Sequence, residues 1–497
     1  MGEFRFRIPD YWDLESRHAR TVHVIGLDGI PKPCNVQELE KTLRVSRNQN
    51  ESGKIYIAYP FSTRGELTIC TGTLPESPNE YNLATELARG TINRLRNQTS
   101  IWEEGGLEIP DQVRELTRLA IAKLGSSIVA PVPEKDEFAR EALDFGIEAI
   151  FNLCEHFGKE ISDYRVSENE IPSFWLATTN PQETPEQHAL LNSFDLLSTN
   201  SVEPLSDQLI DQKFIVGPFL DASPHSSFVT QNEDYQAGRI AVLKHCDEIL
   251  EALPENTSLI HAACNLNGIG HKNLGYRQQI QLTTAILAKL DDSKCDRPVM
   301  VSFDYPWAER MAWSVGGIHP LQIADDLMRN GSRISFIGLD INLDYWPCGS
   351  VSRDPLQWID MIDVWCQLGL PLVVCLRVPQ PIVLAENSSG DVEFSSDHDQ
   401  NVTIAIDSDL TTEQSDAETY VVANSVRENL NQDQRLKLIQ TVLPMIVARP
   451  GVHGLVWRQW SDSDDRRFPD GGLVNETGIE KATALAIQQL RTETLRR

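Results

Sequence analysis

Short apolar runs recur eight times between about residue 171 and the C-terminus, and each is followed by a stretch long enough for an amphipathic helix. The runs are Phe174–Thr179, Phe194–Ser198, Phe214–Leu220, Leu259–Cys264, Val299–Phe303, Ile334–Ile341, Leu372–Val378 and Gly454–Trp460. They are continuously apolar rather than alternating, as strands of a parallel sheet covered on both faces must be. Eight strand–helix units predict an α/β fold, a closed (β/α)8 TIM barrel, whose reactive groups belong at the C-terminal ends of the strands.

A different pattern precedes the barrel. Residues 21–75 hold β-type runs such as TVHVIGLDG, KIYIAYP and ELTICTGTL, separated by Gly, Pro and Asn, which predicts a small β-sandwich. Helical periodicity then takes over from Tyr81, from Pro110 to Lys123 and from Glu134 to His156. The last of these opens on Glu134, Asp136 and Glu137, negative charges at the positive end of the helix dipole. The expected organisation is therefore a sandwich with a helical connector over residues 1–165 and a barrel over residues 170–497. Between Ala385 and Thr419 the chain is acidic and Ser-rich, reading as a long loop after the seventh strand, either a lid or a solvated excursion.

Charge narrows the partners. A formal net charge of -28 repels nucleic acid and anionic lipid, so neither is expected. The opening residues MGEFRFRIPDYWDLE lack an apolar signal core, and no apolar run approaches the length that spans a bilayer, so a cytoplasmic protein is expected. The nine cysteines are scattered without a C-x-x-C pair, which implies neither a disulfide framework nor a zinc site. His261 reads as a satisfied core residue within a strand, while His225, His271 and His319 are too dispersed for a metal. Gly268 and Gly270 lack the third glycine of a dinucleotide loop. No metal and no cofactor is expected, and the oligomeric state is not legible.

Carboxylates and aromatics gather at the expected mouth. Asp304 ends the fifth run with Glu309 a turn later, Asp340 and Asp344 belong to the sixth, Asp221 to the third, and Asp462 and Asp464 follow the eighth. An acid/base pair of Asp304 with Asp340 or Asp344 is the functional reading, since the fifth and sixth strands are neighbours. The alternative is turn chemistry, with these aspartates capping loops or pairing with Arg310, Arg353 and Arg458. Trp307, Trp313, Tyr345, Trp346, Trp457 and Trp460 lie at or beyond strand ends, where aromatic faces can stack on sugar rings or simply fill core. A Cys264 nucleophile served by His271 or His225 is disfavoured, because a thiolate needs an electropositive setting and this mouth is acidic.

Several segments carry a resemblance. GVHGLVWRQWSDSDDRRFPDGGLVNETGIEKATALAI resembles the C-terminal segment of glycoside hydrolase family 10, the xylanase family. ISFIGLDINLDYW, LGLPLVVCLRVP and SLIHAACNLNG are similar to its sixth, seventh and fourth strands. The likeness covers about 171–497 and is closest to divergent planctomycete proteins of that type, whose N-terminal helix resembles ELARGTINRLRNQ here. It implies a carbohydrate ligand, with Asn265, Asn267, Trp307, Tyr345, Trp346, Trp457, Trp460 and Asp462 as the substrate-binding set. The family's two catalytic glutamates end the fourth and seventh strands, and alignment puts Asn265 and Leu376 there. Neither can act as acid or nucleophile. The sequence therefore predicts either a glycosidase with displaced carboxylates, Asp304 with Asp340 or Asp344, or a non-catalytic carbohydrate-binding barrel.

Overall fold

The computed structural model describes residues 2–14, 21–77, 79–168, 174–179, 181, 187–199, 212–223, 234–266, 274–293, 295–312, 317–331, 333–345, 349–379, 432–464 and 468–495. Strands β1 (Gly2–Arg7), β2 (His23–Gly26), β3 (Pro31–Lys32), β4 (Asn35–Leu39), β5 (Thr42–Arg47), β6 (Gly53–Phe61), β7 (Gly65–Cys70) and β8 (Tyr81–Asn82) come first. They form two four-stranded sheets, ordered β4-β5-β1-β8 and β3-β2-β6-β7. Period-2 alternation explains them: Phe4 and Phe6 of β1, Leu43 and Val45 of β5, and Ile55 and Ile57 of β6 turn into one shared core, while Glu3, Arg5 and Arg44 stay at the surface. β1 lies outside the region where the sequence suggested strands; its GEFRFR alternation carries the signal.

Three helices follow, α1 (Leu83–Glu104), α2 (Asp111–Val129) and α3 (Glu134–Ser167), each longer than its periodic core suggested. Asn82 caps α1 by accepting from Thr85 N.

The remaining elements are β9 (Trp175–Thr179), α4 (His188–Leu191), β10 (Leu196–Thr199), β11 (Lys213–Val216), β12 (Leu220–Asp221), α5 (Tyr235–Glu251), β13 (Thr257–Cys264), α6 (Tyr276–Asp292), β14 (Val299–Asp304), a 3-10 turn (Glu309–Ala312), α7 (Pro320–Arg329), β15 (Phe336–Asn342), α8 (Pro355–Cys366), β16 (Leu372–Arg377), α9 (Gln432–Ala448), β17 (Val452–Trp457) and α10 (Ala482–Gln489). β9, β10, β11, β13, β14, β15, β16 and β17 pair in parallel in that order, and β17 pairs back to β9, closing an eight-stranded (β/α)8 barrel. The third run is divided. Pro218 has no N–H to continue a ladder, and the chain re-enters as the short β12 alongside Ala263 and Cys264. Among the described residues the first unit carries the four-residue α4, and the helix expected after the second strand falls on residues 200–211, outside the described residues, as does the acidic segment 385–419.

Inside the barrel, Ala177, Leu196, Ile215, Leu259, Met300, Val373, Cys375 and Val456 form an apolar cluster separate from the one outside the strands. Gly338 supplies the β15 position. A Cβ there would sit 2.5 Å from the Ser302 Cβ, so only glycine lets β14 and β15 place their inward side chains.

The N-terminal part is joined to the barrel near its mouth. Thr68 N of β7 donates to Ser352 O at 2.7 Å, and Arg94 of α1 holds the fully buried Asp354 through two bonds of 2.6 and 2.8 Å. The 3-10 turn packs on β2 and β3, and α3 packs on α9.

Candidate functional site

The inward positions change character toward the C-terminal ends of the strands. Continuing the parity of the apolar cluster, β13 presents His261, β14 presents Ser302 and Asp304, β15 presents Asp340 and Asn342, β16 presents Arg377, and Arg458 follows β17. Thus the strands alternate near the mouth although they read as continuous apolar runs. The polar member sits at every second position, and that spacing was the available signal for Ser302, Arg377 and Arg458 as part of the constellation.

A hydrogen-bonded chain runs across this layer. Ser302 Oγ donates to Asp340 Oδ2 at 2.5 Å, and Arg458 Nη1 donates to Asp340 Oδ1 at 3.0 Å. Because the one serine proton is committed to Asp340, His261 Nε2, 2.9 Å from Ser302 Oγ, must be the donor to it. Burial, with the Arg458 charge behind it, lowers the His261 pKa to about 4, so the ring is neutral and protonated on Nε2 at physiological pH. His261 is a satisfied residue, as its position in the strand suggested, and its partner is this network.

Asp304 is directly across from Asp340 in the β14–β15 register. It is 7% exposed, and its Oδ1 accepts from Tyr305 N at 2.9 Å. Burial first and the neighbouring Asp340 second raise its pKa to about 8, against the opposing pull of Arg310. At neutral pH this carboxyl is a proton donor. Strained turns follow several barrel strands: Asn265, Tyr305, Ala308, Asp344 and Asp470 have left-handed backbones, with φ of 58°, 51°, 57°, 59° and 62°. Asn and Asp tolerate that conformation, but Tyr305 and Ala308 do not do so readily, and such strain concentrates at sites that a fold must hold in one geometry.

The other candidates occupy different settings. Asp344 accepts from Ser352 N at 3.0 Å and from Arg435 Nε at 3.1 Å, which ties the loop after β15 to α9; its neighbours are Arg435 and Glu66, not Asp304 or Asp340. Asp462 accepts from Lys481 Nζ at 2.8 and 3.0 Å and from Gly472 N, closing the loop after β17. Asn265 donates to Asp221 Oδ1 at 2.6 Å. Tyr345 donates to Pro469 O and meets Phe468 edge-on, while Trp307 donates to Gln357 O and meets Trp358 edge-on. Trp457 and Trp460 are fully buried, with their indole N–H groups bonded to Gly471 O and Gln187 Oε1; as placed, both are packed on every side. Asn267, Trp313, Trp346, His225 and His271 lie outside the described residues.

Leu376 belongs to the cluster outside the strands, whereas the inward residue at the end of β16 is Arg377. Its Nη1 donates to Asn342 Oδ1 at 3.1 Å, and its guanidinium lies 3.9 Å over the Phe468 ring. The mouth is thus lined by buried arginines as well as carboxylates, which corrects the expectation of a simply acidic one. Cys264 is buried and its thiol pKa is raised by burial and by Asp221, the opposite of what a thiolate nucleophile needs. Among the described residues no group of three His, Cys, Asp or Glu side chains could hold a metal ion, and no helix is long and apolar enough to cross a membrane.

No family model and no curated protein matches the sequence. Solved structures that resemble the fold include xylanase 10B from Thermotoga maritima, at 9% identity over 68% of this chain and 99% of that one with a TM-score of 0.42. Xylanase 10B from Thermotoga petrophila, in complex with xylobiose, matches at 10% identity over 68% and 97% with a TM-score of 0.41. A mutant xylanase 10C from Cellvibrio japonicus, in complex with xylopentaose, matches at 9% over 65% and 68% with a TM-score of 0.40. The closed barrel itself rests on its own strand pairing.

Proposed function

We propose that this chain is a carbohydrate-active barrel, glycoside hydrolase-like, whose acid is Asp304 and whose partner carboxyl is Asp340. It is read as a divergent relative of the family 10 type, including its planctomycete members, working in the cytoplasm without nucleic acid or membrane as partner. The observation that carries the reading is the register pair Asp304–Asp340, one carboxyl held protonated and the other facing a guanidinium. Adjacent strands lie roughly 4.8 Å apart, which puts two inward side chains in register close to the ~5–5.5 Å at which a retaining glycosidase sets its acid and nucleophile. Asp304 would protonate the departing glycosidic oxygen. Asp340, oriented by Ser302 and Arg458, would attack or stabilise the anomeric carbon. Arg377, Asn342, Tyr345, Trp307, Asn265 and Asn267 would bind the sugar.

One observation favours the second reading, a barrel that binds carbohydrate without turning it over. Both oxygens of Asp340 already have partners in Ser302 and Arg458, and a carboxylate so engaged is a poorer nucleophile. The experiment is a panel of aryl glycosides together with a glycan array, run on the intact protein and on Asp304→Asn. Turnover that disappears in the variant supports the first reading, and glycan binding without turnover supports the second. Absence of both binding and turnover overturns the carbohydrate assignment.

A further inference from the structure

Helix α2 has two apolar faces, and one of them is uncovered. Val113, Ala120 and Ser127 are buried where α2 packs on α1 and α3. On the other side Ile121, Ile128 and Val129 are 42%, 51% and 83% exposed, and Val132, just past the helix end, is 51% exposed. Positions 121, 125, 128 and 129 have the spacing of one helical stripe, so they form a continuous strip rather than scattered surface residues.

Gly125 lies in the middle of that strip. A glycine inside a helix is unfavourable relative to alanine and is retained where something must come close. The glycines inside α1 and α3 follow that logic. A Cβ on Gly90 would lie 2.1 Å from Cys70 O, one on Gly146 3.4 Å from Thr91 Cγ2, and one on Gly158 3.1 Å from Met445 N of α9. A Cβ on Gly125 would meet nothing within 4 Å. Among the described residues, no element of the single chain makes the close approach that this glycine allows.

Symmetry and charge argue for what covers the strip. A two-fold pair of helices places residue i of one copy on residue j of the other, and j on i. In an antiparallel crossing of two α2 helices with the axis at Gly125, Ile121 meets Val129, the exposed Ala122 meets Ile128, and glycine meets glycine. Each contact sets a β-branched side chain against an apolar one, and no Cβ stands at the axis to hold the backbones apart. The chain carries a formal net charge of -28, so two copies repel each other, but residues 111–135 hold four basic and three acidic side chains. The acidic excess is absent from this segment.

We propose that α2 is the surface through which two copies of this chain associate, as an antiparallel helix pair centred on Gly125. The inference does not rest on the carbohydrate reading. One helix pair buries less than the roughly 800 Å² per partner of a standard interface, so the dimer dissociates on dilution.

The test is sedimentation of the full chain over a wide range of concentration, with and without substitutions at the axis. The native chain should pass from one chain mass to two as concentration rises. Gly125→Glu and Gly125→Lys each set like charges against each other across the axis and should weaken association by at least about tenfold. Both raise helix propensity in open space, so neither should lower the melting temperature of the monomer. An equimolar mixture of the two variants should regain the dimer, because opposite charges then face each other. A native chain that stays monomeric at every concentration overturns the proposal and leaves the strip to a different partner. A dimer that forms equally well in Gly125→Glu places the interface elsewhere and overturns it too. Loss of the dimer in both variants without recovery in the mixture overturns the antiparallel pairing about Gly125.

Discussion

Replacing Asp304 with Asn should change how stability depends on pH. The folded protein holds this carboxyl at about 8, against an ordinary value of 3.8, mainly through burial. Folding therefore retains a proton that the unfolded chain releases. Between those two values the folded state binds more protons, so stability falls as pH rises, by about 1.4 kcal/mol per unit. Over the roughly four units from 3.8 to about 8 the loss approaches about 6 kcal/mol, complete once pH passes the folded value. Asn cannot ionise and carries no such slope. Denaturant melts of both proteins at pH 5, 6, 7, 8 and 9 should give a stability difference that shrinks steadily up to pH 8 and then levels, with Asp304→Asn the more stable protein at pH 9. A difference that does not vary with pH, or one that grows in favour of the native residue as pH rises, would refute the assignment of a protonated Asp304.

Further outcomes follow from burial and pairing. Trp460→Ala should cost about 3–5 kcal/mol, the range for emptying a core aromatic site, because the indole is fully buried against Phe194; a near-unchanged melting temperature would return it to the surface of the mouth. Lys481→Met should cost about 3–5 kcal/mol at pH 7 by stranding Asp462, whose carboxyl is already raised by burial, and the cost should shrink in acid as Asp462 takes up a proton. Arg94→Met removes both bonds to the buried Asp354 and should destabilise the chain by a similar ~3–5 kcal/mol, read as a lower denaturant midpoint. If it instead leaves the unfolding curve unchanged, the sandwich and barrel are not coupled through this pair.

The barrel was legible because eight buried parallel strands leave eight apolar runs, and their strand ends pointed to Asp304 and Asp340 as neighbours. What the runs hid was parity. VMVSFD reads as apolar with a terminal Asp, but Met300, Ser302 and Asp304 face inward together while Val299, Val301 and Phe303 face the helices, so Ser302 joins the site. The same blindness put Leu376, whose side chain faces the helices, forward as a candidate, whereas the inward residue at the end of that strand is Arg377. Trp457 and Trp460 illustrate the converse. An aromatic beyond a strand end has the same sequence signature whether it lines a cleft or plugs the loop above it, and only the long-range partners Gln187 and Gly471 distinguish the two. Asp344 and Asp462 likewise have cationic partners 91 and 19 residues away, a pairing that local sequence does not encode.

The most direct test of the account is hydrolysis of aryl glycosides by the intact protein as a function of pH, compared with Asp304→Asn. The account predicts turnover whose basic limb falls off near pH 8, where Asp304 gives up its proton, and the loss of turnover in the variant on substrates with poor leaving groups. Turnover that persists unchanged in Asp304→Asn, or a basic limb unaffected by that substitution, would contradict it.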